Sequence, residues 1–88
     1  MPETTIDTSA EAIAEWLTGR VAYYLDRPVT ELRPDVKLVE YGLDSVYGMS
    51  LITEIEDRFD LELESTLAWD HPTIAAITGY LHGLVGQR

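Results

Sequence analysis

The sequence predicts an all-α fold: a bundle of three main helices and one short helix, with a long first loop. Three stretches place aliphatic residues at three- and four-residue intervals, and none shows the alternation of a half-buried strand. Between the first two helical stretches, residues 26–44 keep no sustained period and carry Pro28, Pro34 and Gly42. With 88 residues and 45% apolar content, the chain has material for one core and one domain, residues 1–88.

The first helix is expected from Ser9 to Leu25, with Ile13, Leu17, Val21 and Tyr24 on its inner face and a capping box in Thr8-Ser9-Ala10-Glu11. Asp26-Arg27-Pro28 ends it, because proline lacks an N–H and disfavours helical geometry in the residue before it. The loop that follows should be pinned at Val29, Leu32, Val36 and Leu38. So long a connection inside a small domain is usually functional. The second helix should run from Ser45 to Phe59, roughly 22 Å at the usual rise, with Leu51, Ile52, Ile55 and Phe59 inward. A short turn at residues 65–70, anchored by Leu67 and Trp69, precedes a last helix. That helix starts near Pro72, carries Ile74, Ile77 and Leu81 on one face, and frays at Gly83 and Gly86.

Charge and composition narrow the function. There is no cysteine, which excludes disulfides, thiolate metal sites and thiol catalysis. Sixteen acidic residues against six basic ones give a net charge of −10, which opposes binding to nucleic acid or anionic lipid and favours basic protein partners. Residues 43–70 form the acidic pole, with eight acids and one base. Met1–Thr5 shows neither a basic start nor an apolar run, and no segment approaches a membrane span, so the expected setting is the cytoplasm. His71 and His82 lack neighbours that would complete a metal site, and no metal is expected.

Chemistry concentrates in Tyr41-Gly42-Leu43-Asp44-Ser45-Val46. A hydroxyl at a loop-to-helix junction meets the positive end of the helix dipole and free backbone N–H groups, which together favour a phosphate. Gly42 can supply the turn, Leu43 can plug the loop onto the core, and Asp44 lies beside the hydroxyl. By local physics alone, the commoner reading is that Asp44 and Ser45 merely cap the helix, because serine caps are frequent. A hydrolase elbow would need glycines two residues either side of Ser45, where Leu43 and Tyr47 stand, so no catalytic residue is expected.

The Gly42-Leu43-Asp44-Ser45-Val46 segment closely resembles the G-x-D-S-[LV] signature of acyl carrier proteins. Leu51, Ile55-Glu56 and Phe59 fall at the spacings of that family's second helix. Trp69-Asp70-His71-Pro72-Thr73 is similar to the aromatic-D-x-P-T stretch of polyketide-synthase carriers, and the likeness covers residues 21–84. The resemblance implies a four-helix acyl-carrier bundle in which a 4′-phosphopantetheinyl transferase esterifies Ser45 with the arm of coenzyme A. Gly42, Leu43 and Asp44 would support that site. It further implies a docking face of Val46, Met49 and Thr53 edged by Glu54, Glu56 and Asp57. The expected partners are the transferase, an acyl-loading ligase or acyltransferase, and a ketosynthase or other polyketide-synthase enzymes, met by a monomer. Val46 and Gly48 depart from the usual pattern, and glycine inside a helix costs up to ~1 kcal/mol relative to alanine. Gly48 could admit a close helix contact or a substrate chain, or be merely tolerated.

The short flanks suggest a discrete protein, although a domain excised with a new start methionine would read alike. Peptidyl carriers of nonribosomal synthetases tend to have glycine and histidine or aspartate before the serine, which favours acyl cargo here. The other alternative is an acidic interaction module that is never modified.

Overall fold

The computed structural model describes residues 8–87; Met1–Thr5, considered above, lies outside the described residues. Helix α1 (Ala10–Leu25) opens on Ser9, whose hydroxyl oxygen accepts from the N–H of Ala12 at 3.2 Å. This corrects the expected capping box. With Ser9 as the cap, the third helical position is Ala12, and no glutamate stands where the reciprocal bond would be made. The helix closes on Asp26, left-handed at φ 55°, as the N–H of Arg27 bonds back to Ala22 and that of Asp26 to Tyr23.

The first loop contains two single-turn 3₁₀ segments, Val29–Glu31 and Leu38–Tyr41. Leu32 and Leu38 are buried as expected, but Val36 is half-buried and Val29 is 51% exposed. Fewer apolar pins are needed because backbone bonds hold the loop to the start of the last helix. The N–H of Leu38 donates to the carbonyl of Pro72 at 2.8 Å and that of Ala75 to Pro34 at 2.9 Å, and an isolated antiparallel bridge joins Lys37 to Thr73.

Helix α2 (Ser45–Phe59) matches its expected span and buries Leu51, Ile52, Ile55 and Phe59. Helix α3 (Leu67–Asp70) is one turn long. Its Leu67 is buried, whereas Trp69 is 55% exposed, contrary to the reading of both as anchors. Two residues on a helix are about 200° apart, so a single turn cannot aim both side chains at one core. Helix α4 (Ile74–Val85) is capped by Thr73, whose hydroxyl oxygen accepts from the N–H of Ala76. Pro72 therefore precedes the cap rather than sitting in the first turn. The helix also runs through Gly83, where fraying was expected, with Val85 packed against the core beyond it.

Ile13, Leu17 and Val21 of α1 meet Leu51, Ile55 and Phe59 of α2, Leu67 of α3, and Ile74, Ile77 and Leu81 of α4 in one core. Trp16 closes its edge, standing edge-on to Phe59 at 5.6 Å, with the Arg58 guanidinium 4.9 Å over its ring. No described helix is long and apolar enough to cross a membrane.

Candidate functional site

The site begins with the loop that delivers Ser45. Tyr41 ends the second 3₁₀ turn, and its hydroxyl accepts from the N–H of Arg33 at 2.8 Å. Gly42 follows at φ 99°, a left-handed conformation that side chains resist, and its N–H donates to Val39. Leu43 then turns inward and is buried, so the chain is fixed to the core two residues before the serine.

Asp44 is the cap of α2: its Oδ1 accepts from the N–H of Tyr47 at 2.9 Å. Ser45 is the first helical residue and is exposed. The two oxygen-bearing side chains thus divide the work that local sequence left open. Asp44 caps, and the Ser45 hydroxyl projects from the junction. Helix geometry leaves the N–H groups of Ser45 and Val46 without intrahelical acceptors, next to the positive end of the dipole. An exposed hydroxyl beside unpartnered amides fits a phosphodiester.

Beside Ser45 lies a cavity of about 50 Å³ between α2 and α3, lined by Leu38, Val39, Leu43, Gly48, Met49, Ile52, Ser65, Ala68 and Trp69 as well as Asp44 and Ser45. Sequence reasoning missed the contribution of Ala68 and Trp69. Trp69 was the available signal, but it was read as an anchor of the short turn.

Further along α2, Val46 (68% exposed) and Met49 (49% exposed) share the outer side with Thr53, whose hydroxyl bonds back to the carbonyl of Met49. The acids expected to edge this strip separate into two kinds. Asp57 is exposed. Glu54 is half-buried: Arg20 Nε stands 2.7 Å from its Oε1, and its Oε2 accepts from the hydroxyl of Tyr24. Glu56 was expected on the solvent side but is also half-buried, and its Oε2 accepts from the N–H of Leu63 at 2.8 Å. That backbone amide lies beyond the helix in an irregular segment and takes the carboxylate as its partner. Tyr47, read in the sequence only as a residue that rules out a hydrolase elbow, is exposed beside Val46, with its ring 5.8 Å from Tyr24. His71 stacks on Tyr80 at 4.2 Å.

The family described as "Phosphopantetheine attachment site" matches residues 15–81. The chain is 32% identical over 73 residues to "Polyketide synthase PksL" of Bacillus subtilis, covering 83% of this chain and only 2% of that synthase. It therefore spans a small fraction of the curated relatives it matches. Among solved structures, a free-standing peptidyl carrier protein from Acinetobacter baumannii superposes with a TM-score of 0.86 at 34% identity, over 90% of this chain and 99% of that one. The acyl carrier protein LipD from Actinoplanes friuliensis gives 0.76 at 34% identity over the full length of both. The chain belongs to the phosphopantetheine attachment family: it is a helical-bundle carrier domain whose cofactor is covalent 4′-phosphopantetheine.

Proposed function

We propose that this carrier serves polyketide assembly and that Ser45 bears its arm. The carrying observation is the exposed Ser45 hydroxyl at the first position of α2, after Gly42-Leu43-Asp44 and within the family match. Loading forms a bond between Ser45 Oγ and the β-phosphorus of coenzyme A, breaks the pyrophosphate P–O bond and releases adenosine 3′,5′-bisphosphate. The hydroxyl proton passes to the transferase. Asp44 holds the helix start in place, Leu43 anchors the loop, and the amides of Ser45 and Val46 face the new phosphodiester. The bound arm supplies a terminal thiol that carries cargo as a thioester.

Val46, Met49, Thr53 and Asp57 form the face that transferase, loading enzyme and ketosynthase dock on in the cytoplasm. Glu54 and Glu56 shape that face from its flank. An apolar strip within an acidic pole suits brief encounters with basic enzymes, because long-range attraction raises association rates without demanding tight binding.

Peptidyl cargo is the second reading, favoured by the likeness to the Acinetobacter baumannii peptidyl carrier. Intact mass after incubation with coenzyme A and a broad-specificity transferase tests the carrier reading. Wild type should gain one arm. Ser45→Ala should gain none while keeping its helical spectrum, because the cap belongs to Asp44. An arm on the alanine variant would place the attachment elsewhere. Presenting the loaded protein to separate acyl-loading and amino-acid-activating enzymes distinguishes the cargo classes, and acceptance from only the latter would make it a peptidyl carrier.

A further inference from the structure

Three tyrosines stand in a row across the seam between the end of α1 and the start of α2. Tyr23 is 68% exposed, and its ring lies 5.5 Å from that of Tyr24, which lies 5.8 Å from that of Tyr47. Tyr24 donates its hydroxyl to Glu54, so the row is anchored at its middle. Arg20 shows what these rings accept. Its guanidinium sits 4.6 Å over the Tyr23 ring while its Nε pairs with the Glu54 carboxylate.

The end of α1 repeats that combination of ring and carboxylate without the cation. Arg20 lies one turn before Tyr23, and Asp26 one turn after it. Tyr23 and Asp26 line one open depression with Ala22, Arg27 and Pro28. Asp26 makes no ion pair among the described residues, and the last turn of α1 holds no basic residue. Arg27 is turned to the loop, 3.3 Å from Glu31 and 5.9 Å from the centre of the Tyr41 ring, and is thereby already paired. A carboxylate at the negative end of a helix dipole is unfavourable in the free protein and is relieved by an incoming cation. Guanidinium suits the seat better than ammonium, because it stacks flat on a ring and pairs with a carboxylate at once.

We infer that this seat receives an arginine of the enzyme that attaches the arm, as a second contact point beside the α2 face. The inference rests on attachment at Ser45. Other partners act on the far end of the arm, but the transferase must bring its own reacting centre to the Ser45 hydroxyl. Tyr47 follows Ser45 by two residues, and the row runs from it to Tyr23 in steps of 5.8 and 5.5 Å. A standard interface covers about 800 Å² on each partner, a patch of roughly 16 Å radius, so the seat falls inside the transferase's footprint. The net charge of −10 supplies the matching long-range attraction.

The test measures arm transfer from coenzyme A by a broad-specificity transferase to Tyr23→Leu, Asp26→Asn, their double variant and the control Glu62→Gln, each shown to be folded by circular dichroism. Glu62 is exposed beyond the other end of α2, and its variant removes the same charge as Asp26→Asn. Asparagine tolerates the left-handed backbone at φ 55°. Tyr23→Leu and Asp26→Asn should each raise the KM for the carrier about threefold, the order of one exposed cation–π contact or ion pair, with kcat unchanged. The double variant should lose about fivefold rather than the roughly ninefold of independent sites, because both residues hold one side chain. Tyr23→Phe, which keeps the π face, should recover most of the loss. At equal, non-denaturing ionic strength, guanidinium chloride should raise the wild-type KM about twofold more than sodium chloride, a difference that Tyr23→Leu erases. An unchanged KM in Tyr23→Leu, an Asp26→Asn effect no larger than that of Glu62→Gln, a loss confined to kcat, or a guanidinium effect that persists without the ring would overturn the inference. Wild type that gains no arm by intact mass would overturn the carrier reading itself, so the two failures are told apart.

Discussion

Reversing a single charge on α2 separates the proposed docking role of the acidic pole from its structural role. Asp57 is exposed, so Asp57→Lys should alter stability by no more than ~0.5 kcal/mol. It nevertheless changes the face by two charge units. Against a basic group ~8 Å away across a hydrated contact, each unit is worth about 0.5 kcal/mol in water, or about 1 kcal/mol for both. The second-order rate of arm transfer should then fall about fivefold at low salt, and only about twofold at 0.1 M, where the screening length is ~10 Å. The variant should also show a weaker salt dependence than wild type. Glu56→Lys removes the same charge but strips the Leu63 N–H of its acceptor, so it should also lose about 1–3 kcal/mol of stability. Transfer kinetics across a salt series, with melting by circular dichroism beside them, measure both effects. An unchanged rate for folded Asp57→Lys at low ionic strength would show that the acidic face serves solubility and not docking.

Glu54→Ala should destabilise the bundle by about 1–2 kcal/mol, a value discounted because the Arg20–Glu54 pair is about a third exposed. In a domain of this size that lowers Tm by roughly 4–16 °C, and a shift under ~2 °C would mean the Arg20 and Tyr24 contacts contribute nothing. Asp26→Gly should raise Tm by ~2–8 °C. It relieves a left-handed residue at φ 55° and removes a negative charge from the negative end of α1, gains that exceed glycine's added chain entropy. Chemical denaturation of the variant checks this, and a lower midpoint would contradict it.

The features legible in the sequence were those carried by local periodicity and local chemistry. Ile13, Leu17 and Val21, then Leu51, Ile55 and Phe59, then Ile74, Ile77 and Leu81 repeat at helical intervals, and burial of one face is enough to name them. Gly42-Leu43-Asp44-Ser45 was equally legible, because a turn glycine, a plugging leucine and a cap act within a few residues of each other. Tertiary structure decided the remainder because each remaining partner comes from a distant or irregular part of the chain. Glu54 is claimed by Arg20 and Tyr24, 34 and 30 residues away, and Glu56 by a loop amide that no side-chain pattern announces. Val29 and Trp69 are as apolar as their buried neighbours, yet backbone bonds to Pro72 and the single turn of α3 leave both at the surface. Gly48 shows the division most clearly. The sequence recorded an unusual glycine, and only the approach of Ala68 across the α2–α3 gap showed that alanine would fit there and that a cavity opens beside the serine.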